Sequence, residues 1–374
     1  MSDPRVLLMT YARPEAARGG VETFSRDLSR VFLGLEYLAA EDLVADYSTG
    51  RLRELRLLRA LAREAVRRHL ERPYDLIVAN GSLAMALPKP LPGRHAPVAV
   101  VMHGDYAGYS RSGMTPWYPK SLYMRWVASR WERASARRAD VVVAVSAGVA
   151  RDVRRYFGCE PVVLENGIAP ASARGDPREA RRRLGLAQDH LVVAFVGRPT
   201  REKGYDRLLR LTVSRPAYQI VVASPTPPRS VSPRMRVFVD PDPDTLQAIY
   251  RACDVLFFPS RFEGCAFVPL EAMAAGTPVV TSATGVFADA SGPFAGGCVV
   301  DAVQPEDWHR TVDEVIRTRC TFDPAGYARD RFSFRAFTAG YRELAAALAP
   351  DAFARSMHSP PGTVAESLRA VRVA

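Results

Sequence analysis

Residues 257 to 282 read F-F-P-S-R-F-E-G-C-A-F-V-P-L-E-A-M-A-A-G-T-P-V-V-T-S. An apolar strand delivers a loop, the loop opens a helix, and Gly276-Thr277-Pro278 stops that helix just before another apolar strand. Glu263 stands in the loop and Glu271 inside the helix, so the two carboxylates are spaced to serve two separate polyol groups along one extended ligand. The amides of Gly264, Cys265, Ala266 and Phe267 open the helix, where N–H groups and a positive dipole suit a phosphate. The plainer structural alternative is that Glu263 helps to cap the helix and Glu271 pairs with an arginine.

Upstream, V-V-A-F-V-G-R-P-T-R-E-K-G-Y-D-R-L-L runs from Val192 to Leu209. A strand ends at Gly197, Arg198 follows at once, and Lys203-Gly204 precedes a helix. Arg198 offers a planar fork for paired phosphate oxygens and Lys203 a mobile point charge. The chain holds 51 basic residues, and lysine appears only at Lys89, Lys120 and Lys203. A lysine kept beside Gly204 suggests a place where arginine is too bulky.

Further strand-like runs lie at Gln219 to Ala223, Arg236 to Val239 and Val255 to Phe258, with helical patterns between them. The first half repeats the scheme. Val6 to Met9 leads into a loop with Gly19-Gly20, then Val21, Phe24, Leu28 and Val31 show helical spacing. Strands follow at Leu76 to Ala79, Val98 to Met102 and Val141 to Val145. Alternating strands and helices imply parallel sheets, and 374 residues suit two such domains. The expected division is residues 1–170, then 171–331, with the helix 332–350 crossing back to the first domain and 351–374 as a tail. Substrate is expected in the cleft between the domains, at the carboxyl ends of the strands.

A hydrophobic fraction of 48% with 24% charged residues is that of a globular protein, and no apolar run approaches the ~20 residues needed to cross a bilayer. Val6 to Met9 is too short for a signal-peptide core, so the expected compartment is the cytoplasm. Five scattered cysteines without a C-x-x-C pair argue against a zinc site or disulfide framework. The formal charge of +11 favours anionic partners, a merely solvated basic surface being the alternative. Nucleic acid is not among the expected partners. Arg18-Gly19-Gly20-Val21 does not fit the G-x-G-x-x-G turn, which disfavours a dinucleotide oxidoreductase. Near Asp240, D-P-D-P-D is reminiscent of metal-binding aspartates, but Asp244 before T-L-Q-A-I-Y reads as a helix N-cap. No catalytic metal and no cofactor are expected.

Taken together these stretches resemble the retaining family 4 glycosyltransferases of GT-B fold. The resemblance covers most of the chain. It rests on Gly19-Gly20-Val21-Glu22, His103-Gly104, Val145-Ser146, Glu165-Asn166-Gly167-Ile168, G-R-x-x-x-x-K-G and the glutamate pair, in that order. It implies two Rossmann-like domains and a nucleoside diphosphate sugar as donor. It implies that Arg198 and Lys203 hold the diphosphate, Glu263 the hexose hydroxyls and Glu271 the ribose. Gly19 and Gly20 would bring backbone amides to the phosphates, and His103 would reach the sugar ring from the other domain. The family commonly has E-G-F-G where this chain has Glu263-Gly264-Cys265-Ala266, and Ala266 adds a methyl near the phosphate. The run Val222 to Pro228 stiffens a region near the nucleotide, which leaves the donor base open.

The implied reaction is metal-independent front-face transfer of a hexose to an acceptor hydroxyl. A GT-B epimerase, a phosphorylase and a non-catalytic sugar-nucleotide-binding protein are the other readings. Two N-terminal stretches bear on the acceptor. Arg51 to Arg72 carries eight arginines against three glutamates, with Leu52, Leu55, Ala62, Ala65, Val66 and Leu70 near helical spacing. Met114 to Arg138 sets Trp117, Tyr118, Tyr123, Trp126 and Trp131 among arginines. Either these dock on anionic membrane near a lipid-linked acceptor, or they are amphipathic helices packed on their own sheet.

Overall fold

The computed structural model describes residues 4–15, 19–43, 51–111, 120–168, 175–302 and 304–353. The chain divides into two compact units, Met1–Asn166 with Arg335–Ala374, and Gly167–Phe334. Each is a doubly wound α/β domain.

Unit 1 contains β1 (Val6–Thr10), β2 (Leu35–Ala39), β3 (Leu76–Asn80), β4 (Val98–Met102), β5 (Val141–Ala144) and β6 (Val162–Val163). They pair in parallel in the order β2-β1-β3-β4-β5-β6. β1, β3 and β4 are buried along their whole length, as continuous Val, Leu and Ile runs of a parallel sheet covered on both faces should be. Its helices include α1 (Gly20–Val31), α2 (Arg51–Glu71), α3 (Tyr106–Arg111), α4 (Lys120–Tyr123), α5 (Ser129–Arg138) and α6 (Ala147–Phe157).

Unit 2 contains β7 (Leu191–Val196), β8 (Tyr218–Ser224), β9 (Met235–Val239), β10 (Val255–Phe258), β11 (Val279–Ser282), β12 (Gly292–Phe294) and β13 (Gly297–Val300), in the order β12-β13-β11-β10-β7-β8-β9. Only the short β12 runs antiparallel to its neighbour. The helices are α7 (Pro177–Leu184), α8 (Tyr205–Ser214), α9 (Pro243–Ala252), α10 (Phe267–Ala274), α11 (Pro305–Arg317) and α12 (Pro324–Arg331). Val193, Phe195, Ile220, Val222, Phe257, Val280, Trp308 and Val312 form its core, with Trp308 edge-on to Phe257 at 5.6 Å.

The chain then returns to unit 1 through α13 (Phe334–Leu348) and α14 (Pro350–Phe353). Phe337 of α13 meets Phe24 of α1 edge-on at 6.0 Å and Tyr341 lies tilted against it at 5.7 Å, and Phe353 meets Phe32 at 5.8 Å. At the crossing, Ile168 N–H donates to Phe332 O at 2.8 Å and Phe334 N–H to Ile168 O at 3.1 Å.

Three sequence expectations change. The N-cap of α9 is Asp242, whose carboxylate accepts from Thr245 N at 2.7 Å, and not Asp244. Pro243 decides this: its fixed φ and missing N–H suit the first helical position, so the cap falls one residue earlier. In α2 the inward stripe is Leu57, Leu58, Leu61, Ala62 and Ala65, while Leu70 is 55% exposed and Leu55 and Val66 half-buried. The strands β2, β6, β12 and β13 were not anticipated. They are short, and β13 opens on Gly297, whose φ of 147° and close approach to Val279 only glycine tolerates. Trp117 and Tyr118 lie outside the described residues.

Candidate active site

In unit 2 the connections from β7 to β8 and from β7's other neighbour β10 to β11 leave in opposite directions, so the topological switch point lies between β7 and β10. Ligands of doubly wound sheets bind there, at the carboxyl ends of the strands. The two loops that emerge are 197–204 and 259–266. They carry the residues that the sequence singled out.

Lys203 Nζ bonds Glu263 Oε1 at 2.8 Å and lies 3.6 Å from Glu202 Oε1, while Arg198 Nη2 bonds that same Glu202 oxygen at 3.0 Å. Arg198, Glu202, Lys203 and Glu263 thus form one alternating chain of charge. Arg198 is 57% exposed at its open end, whereas the Lys203 and Glu263 side chains are only 19% and 11% exposed. A screened surface pair contributes little, but here four charges share a recess between two loops, where the dielectric is lower and each orients the next. Sequence reasoning missed Glu202. Its spacing of four from Arg198 was the available signal.

Glu263 does not cap α10. The cap residue is Ala266, at φ 74° and ψ 62°, with no side-chain cap bond. A left-handed alanine costs roughly 1–2 kcal/mol relative to the right-handed region. Ala266 is 4% exposed and Cys265 6%, so the turn is packed where the strain is held. Glu271, one helical stretch further, accepts from Tyr250 Oη of α9 at 2.7 Å. Tyr250 is fully buried, and burial together with the Glu271 charge holds its hydroxyl pKa well above the usual tyrosine value. Glu271 is therefore oriented by a buried donor.

The remaining candidates lie at the carboxyl edge of the unit 1 sheet. His103, after β4, meets the ring of Phe24 edge-on at 4.6 Å and places Nε2 3.0 Å from Asn80 Oδ1. Asn80 Nδ2 in turn donates to Thr10 Oγ1 at 3.3 Å. Because Asn80 Oδ1 accepts, the proton of the ring sits on Nε2. Burial pushes the His103 pKa down to about 3, so the ring is neutral near pH 7 and Nδ1 is an acceptor. Gly19 caps α1 and Gly20 is its first residue. A Cβ on Gly19 would stand 2.5 Å from Glu22 Oε2, which places that carboxylate over the helix opening. The segment that follows His103 carries one member of an acidic pair that sequence reasoning also missed. Asp105 accepts from Gly108 N at 2.5 Å and Glu132 from Tyr106 N at 2.9 Å, and both are buried. Burial first, then the Asp105 charge, raises the Glu132 pKa well above the ordinary carboxyl range.

Among the described residues no group of three or more His, Cys, Asp or Glu side chains is placed to hold a metal ion. No described helix is long and apolar enough to cross a membrane.

Comparison with known proteins bears on both units. The family model "Glycosyltransferase Family 4" matches residues 18–172, and "Glycosyl transferases group 1" matches residues 231–330. A D-inositol 3-phosphate glycosyltransferase of Geodermatophilus obscurus is 31% identical over 270 residues, which cover 62% of this chain and 58% of that protein. The common stretch is thus under two thirds of the relative's length. Among solved structures, sucrose-phosphate synthase from Thermosynechococcus elongatus superposes with a TM-score of 0.74 at 19% identity, covering 92% of this chain and all of the other. The Anabaena protein HepE, solved with UDP-glucose, gives 0.71 at 16% identity over 92% of this chain and all of its own. With one family model on each unit and the paired Rossmann-like domains of these neighbours, the chain belongs to the family 4 glycosyltransferases of GT-B fold.

Proposed function

We propose that this chain moves a hexose-type sugar from a nucleoside diphosphate sugar to an acceptor hydroxyl, with retention and without a metal. The observation that carries this reading is the charge chain Arg198–Glu202–Lys203–Glu263 at the switch point of unit 2. A diphosphate seated there takes Lys203 from Glu263, and the freed carboxylate turns to the hexose hydroxyls. Arg198 closes on the phosphate oxygens with its fork, and the opening of α10 adds backbone dipoles. Glu271, steadied by Tyr250, takes the ribose hydroxyls.

Charge grows on the departing phosphate as the glycosidic bond breaks, and preorganised donors stabilise it there. The same phosphate oxygen accepts the proton of the incoming hydroxyl on the front face, so no side chain acts as covalent nucleophile. His103, neutral and with Nδ1 as acceptor, serves a sugar hydroxyl on the unit 1 side.

A panel of nucleotide sugars, each assayed for nucleoside diphosphate release with and without acceptors, tests the reading. Release that depends on an acceptor is expected. Release that needs inorganic phosphate would make the chain a phosphorylase, sugar isomerised without release an epimerase, and binding without turnover a binding protein.

The acceptor side has one specific feature. Arg53, Arg56, Arg59 and Arg63 are exposed along one face of α2. Tyr123 Oη donates to Glu54 at 2.7 Å, which brings Leu122 and Trp126, each 54% exposed, beside that ridge. Apolar side chains next to several arginines suit an anionic lipid surface, where each basic residue adds about 1 kcal/mol. Binding to vesicles rich in acidic lipid, falling as salt rises, is expected. Protein that stays in the supernatant at low salt rules this surface out.

A further inference from the structure

Loops 201–207 and 259–263 touch at more than the Lys203–Glu263 pair, and several of the other contacts run through one side chain. Arg261 places Nη1 2.6 Å from Asp206 Oδ1 and Nη2 2.7 Å from Asp206 Oδ2, a bidentate pair. The same Nη1 also donates to the carbonyl of Arg201, and Arg261 N–H donates to Glu202 O at 2.8 Å. Ser260 Oγ reaches that carbonyl as well, at 3.3 Å, and Arg207 Nη1 reaches Pro259 O at 3.2 Å. The Arg261 side chain is 17% exposed.

These bonds bracket the donor residues in sequence. Lys203 lies between Arg201 and Asp206, and Glu263 lies two residues after Arg261. The guanidinium therefore fixes both ends of the segment that presents Lys203 and the start of the segment that presents Glu263. Fork-to-fork pairs have a single good geometry, unlike a lysine with a carboxylate, so this clasp sets direction as well as distance. Its Nη1 and Nη2 are committed to Asp206 and to the Arg201 carbonyl, an arrangement that suits holding the loop more than meeting a phosphate.

We infer that Arg261 and Asp206 form a latch that positions Lys203 and Glu263 for the donor without touching it. Resting on the donor-site reading above, the inference separates two kinds of arginine at one site: Arg198 meets the ligand, Arg261 holds the loop that does.

The test compares wild type, Arg261→Ala, Asp206→Ala, the double variant and Arg261→Lys. Binding of UDP, GDP and ADP is measured by calorimetry, with kcat and KM for whichever donor turns over, and Tm for each protein. Each alanine variant should weaken binding of the preferred diphosphate about tenfold, the double variant no further, and Arg261→Lys less than either. Losses that add in the double variant, or wild-type binding in Arg261→Ala, overturn the latch. So does an Asp206→Ala protein that binds normally while Arg261→Ala does not, since Arg261 would then contact the ligand itself. Hydrogen exchange of segments 201–207 and 259–263 needs no ligand and keeps this inference apart from the donor-site reading. Faster exchange in both segments of Asp206→Ala supports the latch, and unchanged exchange overturns it whatever the nucleotides do. If wild type binds none of the three diphosphates, the donor-site reading fails on its own account.

Discussion

Lys203 shows how much a single residue can disclose by its type alone. In a chain that otherwise uses arginine, a lysine between Glu202 and Gly204 marks a place where size and charge are both constrained, and Nζ does sit between two carboxylates. Lys203→Ala and Glu263→Ala should each lower kcat/KM roughly a hundredfold, about 3 kcal/mol of transition-state stabilisation, with little change in Tm. Lys203→Arg keeps the charge and should lose nearly as much, because a guanidinium needs more room than the recess beside Gly204 provides. Wild-type turnover in both alanine variants would remove these residues from the reaction. Glu271 is a different case, since its partner is buried. Tyr250→Phe leaves Glu271 without its orienting donor and should weaken nucleotide binding several-fold while kcat hardly moves. Glu271→Ala strands the Tyr250 hydroxyl in the core and should in addition lower stability by about 1–3 kcal/mol, readable by denaturant titration. The motif residues were legible because their types and order are unusual together. Glu202, Arg261 and Tyr250 were not, because a glutamate, an arginine and a tyrosine acquire meaning only from what folding sets beside them.

At the scale of elements, the Val- and Leu-rich strands were legible from their uninterrupted apolar runs, and α8 and α10 from the breaks on either side. β6 has only two residues, and β2 reads L-E-Y-L-A, where a glutamate interrupts the apolar run, so neither shows the uninterrupted pattern of the others. The turns are where local conformation decides. Gly204 adopts φ 78° and lies against Pro259, so that an added Cβ would fall inside the contact distance of Pro259 backbone and ring atoms. Gly204→Ala combines left-handed strain with a backbone clash and should cost more than about 2 kcal/mol, with the two donor loops driven apart and turnover lost. Ala266, also left-handed, has accommodated its methyl in a buried turn. Ala266→Gly should leave stability within about 1 kcal/mol, relief of strain offsetting the lost methyl contacts, and thermal unfolding beside the Gly204 variant would show the contrast.

At the scale of the molecule, two groups of unit 1 make stability depend on pH in opposite directions. His103 titrates at about 3 when folded against 6.5 when free, so below pH 6.5 the unfolded chain takes up a proton that the folded one refuses. Stability is full above that value and falls as pH drops toward 3, by at most about 1.4 kcal/mol per pH unit. Glu132 works the other way. Burial, then the Asp105 charge, holds its folded pKa well above the free value of 4.5, so its contribution is intact below that value and is lost as pH rises. Glu132→Gln keeps an acceptor for Tyr106 N–H and removes the titration, so it should raise Tm near pH 8 and leave it unchanged near pH 4. A variant no more stable than wild type at the higher pH would show that Glu132 is ionised in the fold. The return of α13 and α14 to unit 1 carries a consequence of another kind. Phe24 and Phe32 are made early, yet their aromatic partners Phe337, Tyr341 and Phe353 come after all of unit 2. On the ribosome the order is therefore inverted: the half synthesised first is finished last, and it waits with an uncovered apolar face while the second half emerges and folds. A chain ended after Ser333 should keep one cooperative transition, that of unit 2, while the nascent first unit stays open to chaperones until α13 and α14 have left the tunnel.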